Sequence, residues 1–161
     1  MTRVLGIDPG TVRTGFGIVG RDGSRLRRVA SGTVELGRAP LPQRLAHLHS
    51  ELTRLIDNYT PTACAVEGLF QHRNARSALL LGHARGVCLL AAAAHGLDVV
   101  ELAPATVKRS LTGNGAADKQ QVGFMVARLL DDFSESAPDA CDALAVAICL
   151  IETRKPLRLF G

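Results

Sequence analysis

LGIDPGTVRTGFGIV, residues Leu5–Val19, sets two apolar runs on either side of a rigid turn. The first run, Val4 to Ile7, ends on Asp8, and Pro9-Gly10 follows at once. Proline presets φ at the second turn position and glycine supplies positive φ at the third, so a type II turn opening on Asp8 is expected. The second run then returns beside the first as a hairpin. Aspartate is a common turn opener, and a carboxylate ending a core strand also suits a binding site. This stretch alone leaves both readings open.

Outward from that pair, Val4–Asp8 and Gly15–Arg21 read as strands, and Arg25–Leu36 reads as a third with an interruption at Gly32. Asp22-Gly23 between the last two is a hairpin signal. A helix opens at Pro42, with Leu45, Leu48, Leu52, Leu55 and Ile56 at helical spacing through to Tyr59. Thr62–Glu67 is a strand, Asn74–His95 an Ala/Leu-rich helix and Asp98–Leu102 another strand. Pro104 opens a short helix that stops near Gly113-Asn114-Gly115, and Lys119–Leu130 and Asp139–Thr153 are the last two helices. This order describes an α/β chain with a mixed five-stranded sheet flanked by helices. Residues 1–153 read as one domain and residues 154–161 as a basic, frayed tail. The loops Leu36–Leu41 and Leu69–Asn74 are the expected functional excursions.

A length of 161 residues suits one ordinary domain, and 47% apolar content supports a core. The formal net charge of +4 leans only slightly toward polyanionic partners, since genomic base composition also enriches arginine. No apolar run reaches the length of about 18 residues expected of a membrane span. MTRVLGIDPG lacks the apolar core and cleavage site of a signal peptide, so a cytoplasmic protein is expected. Cys64, Cys88, Cys141 and Cys149 stand apart in apolar or Ala-rich stretches without a CxxC or a nearby histidine, which favours reduced core thiols over zinc.

Three further acids stand out. Glu67 closes Ala63-Cys64-Ala65-Val66-Glu67, and neighbouring strand ends sit within about 5 Å of each other. Asp139 and Asp142 lie three apart at a helix start, on one face and about 5–6 Å apart. Asp139 also suits a cap. Asp142 resists that explanation, because Ala143, Leu144, Ala145, Val146, Ala147 and Ile148 directly after it are all apolar. If the four acids converge, their repulsion and desolvation call for cations. Oxygen ligands without histidine or cysteine favour Mg²⁺ or Mn²⁺. Two such ions about 3.5–4 Å apart activate a water and stabilise the leaving oxygen of a phosphodiester.

LGIDPGTVRTGFGIV, AVEGLFQHRNARSALLLGHARG and PDACDALAVAICL, in this order over nearly the whole chain, resemble the RuvC family of Holliday-junction resolvases. The resemblance implies a ribonuclease H-like fold, with Asp8, Glu67, Asp139 and Asp142 as the metal-binding catalytic carboxylates. The third position is histidine in some members, so Asp139 keeps this site all-oxygen. Also implied are Mg²⁺ with Mn²⁺ as a substitute, two ions per site, and a four-way DNA junction as substrate. A homodimer would cut it with paired symmetric nicks during recombination and DNA repair, alongside the RuvA–RuvB branch-migration complex.

Phe70 matches the family's DNA-contacting aromatic, and an exposed aromatic beside the site stacks on an unpaired base. Arg73 and Arg76 would track phosphates. Lys108 and Lys119 resemble DNA-binding positions, and Arg13 in the first hairpin loop is a weaker candidate. Part of the helix Asn74–His95 is expected at the dimer contact.

Gly6-Ile7-Asp8-Pro9-Gly10-Thr11 also resembles the first phosphate loop of actin-like ATPases and sugar kinases. Those proteins need two such domains and an adenosine-binding motif, for which the chain has no room. A junction binder without cleavage would lack one of the acids. A ribonuclease H-like nuclease acting on RNA or RNA–DNA hybrids fits the acids alone, and the Phe70 loop and motif order favour the junction enzyme over it.

Overall fold

The computed structural model describes residues 1–68 and 74–154. Phe70, Arg73 and the tail beyond residue 154 lie outside the described residues. The elements in chain order are β1 (Thr2–Asp8), β2 (Arg13–Asp22), β3 (Arg25–Glu35), α1 (Leu41–Tyr59), β4 (Ala63–Glu67), α2 (Ala75–Ala94), β5 (Asp98–Leu102), α3 (Pro104–Thr112), α4 (Lys119–Leu130) and α5 (Pro138–Thr153).

The strands form one sheet in the order β3-β2-β1-β4-β5. β3, β2 and β1 are antiparallel, whereas β4 and β5 run parallel to β1, which makes the sheet mixed as expected. The β2–β3 turn falls on Gly23-Ser24, one residue later than Asp22-Gly23, because Asp22 still pairs with Arg25 and Gly23 takes φ +59°.

Helix starts follow local chemistry. Proline occupies the first turn of α1, α3 and α5, where its missing N–H costs nothing. Asn74 caps α2 by accepting from the Ser77 N–H at 2.8 Å. Asp118 and Gln121 form a reciprocal capping box at α4.

Side chains alternate across the sheet, and each face has its own core. Leu5, Ile7, Ile18, Cys64 and Val66 pack against α1 and α2. Val4, Val19, Ala63 and Ala65 pack against α3, α4 and α5. Helix α5 is almost wholly interior, burying Ala140 and every residue from Ala143 to Ile151. It lies directly on β1 and β2 because the residues beneath it are glycines. A Cβ added at Gly6 would lie 2.1 Å from the Ala143 carbonyl oxygen, and one at Gly15 would lie 2.0 Å from that of Asp139.

Among the described residues, Ala75–Ala94 is the one helix long and apolar enough to cross a membrane by length and composition. Alanine and leucine spread around the helix produce that composition without forming a continuous apolar run. In the fold α2 packs on α1 and the β4–β5 edge and buries Arg85 together with Ala84, Cys88, Ala91 and Ala92. Leu79 and Leu90 remain 64% and 59% exposed on its outer side.

Candidate metal centre

The alternation that assigns Val4 and Gly6 to the α5 side of β1 puts Asp8 there too. On β4 the same count from Ala63 and Ala65 sends Glu67 to that side. Ile7 pairs with Val66 in parallel register, so Asp8 and Glu67 are the next neighbours at the strand ends. Across β1, Asp8 pairs with Gly15, and the start of α5 rests on that glycine. Register, alternation and one close approach thus assemble the acids.

One carboxylate oxygen each from Asp8, Asp139 and Asp142 lies within 4.8 Å of the others. Glu67 stands beside this triad, and Asp8 hydrogen-bonds to it. All four line one cleft of about 350 Å³, together with Lys108 from α3 and Lys119 from α4. Asp139 is not a cap, because α5 is capped at Ala137 without a side-chain bond and Asp139 is its second helical residue.

Burial, reinforced by the charge of Glu67 and a hydrogen bond to it, pushes the Asp8 carboxyl up from 3.8 to about 8. Glu67 is also raised, chiefly by burial. The two carboxyls titrate together as one proton-holding unit. Lys119 Nζ lies 3.3 Å from Asp142 Oδ2, and that charge raises the lysine. Four carboxylates against two ammonium groups leave the cleft acidic, and the donor set is all oxygen. These residues fit hard divalent cations, which would compete with the shared proton for the carboxylates.

A stability signature follows. Asp8 holds its proton in the folded protein at pH values where the unfolded chain has released it. The resulting stabilisation is full below about pH 4 and is lost as pH rises through about 8. In EDTA, Asp8→Asn should gain Tm relative to the parent as pH rises from 5 to 9, and Mg²⁺ should raise the parent more at pH 9 than at pH 5. Equal Tm differences at both pH values would contradict the proton-holding pair.

The turn after Asp8 departs from expectation. Gly10 does not have positive φ, so the type II geometry is absent. The glycine is required for space, since an added Cβ would lie 2.0 Å from the Arg13 carbonyl oxygen. A wider loop brings this about. The fully buried Thr14 hydroxyl accepts from the Gly10 N–H and donates to the Gly10 carbonyl, each at 3.2 Å. Arg44 donates to the Thr11 carbonyl at 2.8 Å, and the Leu36 N–H donates to that of Val12 at 2.8 Å. The Leu36–Leu41 loop therefore enters the site only as support for the Asp8 turn.

Arg76 lies exposed in the first turn of α2. Arg13 is the first residue of β2, not part of a hairpin loop, and faces Glu35 at 3.8 Å outside the cleft lining. Arg85, which no motif singles out, also reaches the site. Its buried guanidinium donates to the Glu67 carbonyl and lies 3.0 Å from Glu101. A charged residue inside an Ala/Leu-rich run was the one available signal.

A family model described as crossover junction endodeoxyribonuclease RuvC matches residues 4–150. The crossover junction endodeoxyribonuclease RuvC of Acidiphilium cryptum is 51% identical over 148 residues, covering 91% of this chain and 89% of the relative. Thermus thermophilus RuvC in complex with a Holliday junction substrate superposes with a TM-score of 0.84 at 29% identity, covering 92% of each chain. A second structure of that protein gives 0.84 at 32% identity, covering 97% of this chain and all of the other. The sheet order and helix placement described above are those of the ribonuclease H-like fold these structures share.

Proposed function

We propose, from the premise that this chain belongs to the RuvC family of crossover junction endodeoxyribonucleases, that it resolves four-way DNA junctions by paired symmetric nicks in recombination and repair. One observation carries the site assignment: four acids from β1, β4 and α5 line a single cleft that also holds two lysines. We assign Asp8, Glu67, Asp139 and Asp142 as ligands for two divalent ions, Mg²⁺ with Mn²⁺ as a substitute. Bound there, the ions supply Lewis acidity that activates water and stabilises the departing 3′ oxygen.

The chain's own groups do the rest. Lys108 and Lys119 bind the phosphate backbone at the cleft, and Lys119 exchanges Asp142 for phosphate when DNA arrives. Phe70 stacks on a base at the crossover, and Arg73 and Arg76 hold the flanking backbone. Arg13 is an outer contact. The site joins one sheet to the helix α5 packed on it, which supports residues 1–153 as a single nuclease domain.

A substrate with approximate two-fold symmetry suits a homodimer. The exposed Leu79 and Leu90 lie three helical turns apart on one face of α2 and support that face as the contact. Cooperation with RuvA–RuvB and action in the cytoplasm complete the reading.

The test is a synthetic four-way junction. Symmetric nicks should appear only with Mg²⁺ or Mn²⁺, from a species that light scattering reports as a dimer. Equal cutting of linear duplex or of an RNA–DNA hybrid would overturn the assignment.

A further inference from the structure

Among the described residues only two polar side chains are buried, Thr14 and Arg85. Both brace the backbone next to a candidate ligand. Thr14 closes the loop behind Asp8, and Arg85 reaches from α2 to the carbonyl of Glu67 itself. A buried guanidinium is costly unless its donors are used. Here the fork spans two strands. One nitrogen donates to the last carbonyl of β4, and the other lies 3.0 Å from Glu101 Oε1 on β5.

We infer that Arg85 is a positioning residue for the metal centre, locking the end of β4 so that the Glu67 carboxylate faces Asp8. The inference rests on the metal-dependent nuclease reading and adds to it a residue outside the ligand set. Strand pairing holds this point on one side only. The β1–β4 ladder ends at Ile7–Val66, one residue short of the acids. On the other side Glu67 aligns with Leu102, and the Gly68 N–H donates to the Leu102 carbonyl at 2.7 Å. The Glu67 carbonyl is held by Arg85. Arg85 contacts the Glu67 backbone carbonyl and not its carboxylate, so its contribution is geometric.

Glu101 makes the clamp directional. Its side chain is 55% exposed and remains solvated without a partner, whereas Arg85 is 8% exposed and needs both acceptors. A planar fork serves both at once, and a lysine ammonium in its place would be drawn to one.

The experiment is a Mn²⁺ titration of the DNA-free protein followed by electron paramagnetic resonance, on the parent, Arg85→Met and Arg85→Lys, with Tm recorded alongside. Groups that orient metal ligands change affinity about 10–100-fold when removed, and Arg85→Met should weaken Mn²⁺ binding by that range. Arg85→Lys keeps the charge and should still weaken binding severalfold. It carries the test if Arg85→Met does not fold. Parental Mn²⁺ affinity in either folded variant overturns the inference. If the parent binds Mn²⁺ but does not nick junctions, the junction reading falls and the Arg85 inference is still judged by the titration. A parent that binds no Mn²⁺ overturns both.

Discussion

Glu67→Gln is expected to bind a four-way junction as well as the parent and to cut it about 10³-fold more slowly. Removing several kcal/mol of metal-derived charge stabilisation corresponds to a factor of that order. The amide has nearly the shape of the carboxylate, so the β4 end, its pairing with Leu102 and the Arg85 contact through the backbone carbonyl should persist. The negative charge is lost, and the neutral amide oxygen that replaces it is a weaker acceptor for the Asp8 proton. Asp8 should then come down from its raised value, while burial still holds it above the ordinary carboxylate range. Two consequences of the site chemistry thereby separate. Junction affinity, measured by gel shift in Ca²⁺ or EDTA, should hold or improve as a like charge leaves the phosphate path. Single-turnover cleavage in Mg²⁺ should collapse. Cutting at the parental rate would remove Glu67 from the ligand set.

The residues that make this site differ in how far they could be read from the linear sequence. Asp8 and Glu67 were visible because each closes an apolar run, and counting by twos along Val4–Asp8 and Ala63–Glu67 gives them a common face once the strands are neighbours. Asp142 was visible because it interrupts the most apolar helix. Turn grammar misread Gly10. It weighs φ preferences over four residues, whereas the observed loop is closed by Thr14 and propped by Leu36 and Arg44 from elsewhere in the chain. Lys119 could be named, but its 3.3 Å approach to Asp142 depends on how α4 packs on α5. Arg85 and Glu101 went unread because they are partners across a helix-to-strand contact that has no local signature. The strand glycines are the clearest case. Locally they read as weak points in β1 and β2, and only the seat of α5 shows what they permit.

Gly15→Ala tests that seat, and the expected loss is large for the smallest possible side chain. The added Cβ would lie 2.0 Å from the Asp139 carbonyl oxygen and 2.4 Å from its carbonyl carbon. A relaxed carbon–oxygen approach is about 3.3 Å, so backbone must separate from backbone by more than about 1 Å. Both sides are held. β2 pairs with β1 through Asp8–Gly15 and with β3 through Gly15–Thr33, while α5 is buried along almost its whole length. The cheapest relief is retreat of the first turn of α5, which carries Asp139 and Asp142 away from Asp8. Misplacement of reacting groups by about 1 Å costs about 10²-fold in rate, and overpacking costs about 1–3 kcal/mol of stability. Gly15→Ala should therefore cut junctions about 100-fold more slowly, bind Mn²⁺ more weakly and melt earlier. Gly123→Ala is the matched control. It sits inside α4, where the nearest atom to an added Cβ is Cys141 Sγ at an ordinary 3.8 Å. There alanine should gain about 0.5–1 kcal/mol of helix stability and leave cleavage unchanged. If Gly15→Ala cuts like the parent, α5 is free to shift without disturbing the acids, and the glycine floor is not what sets their geometry.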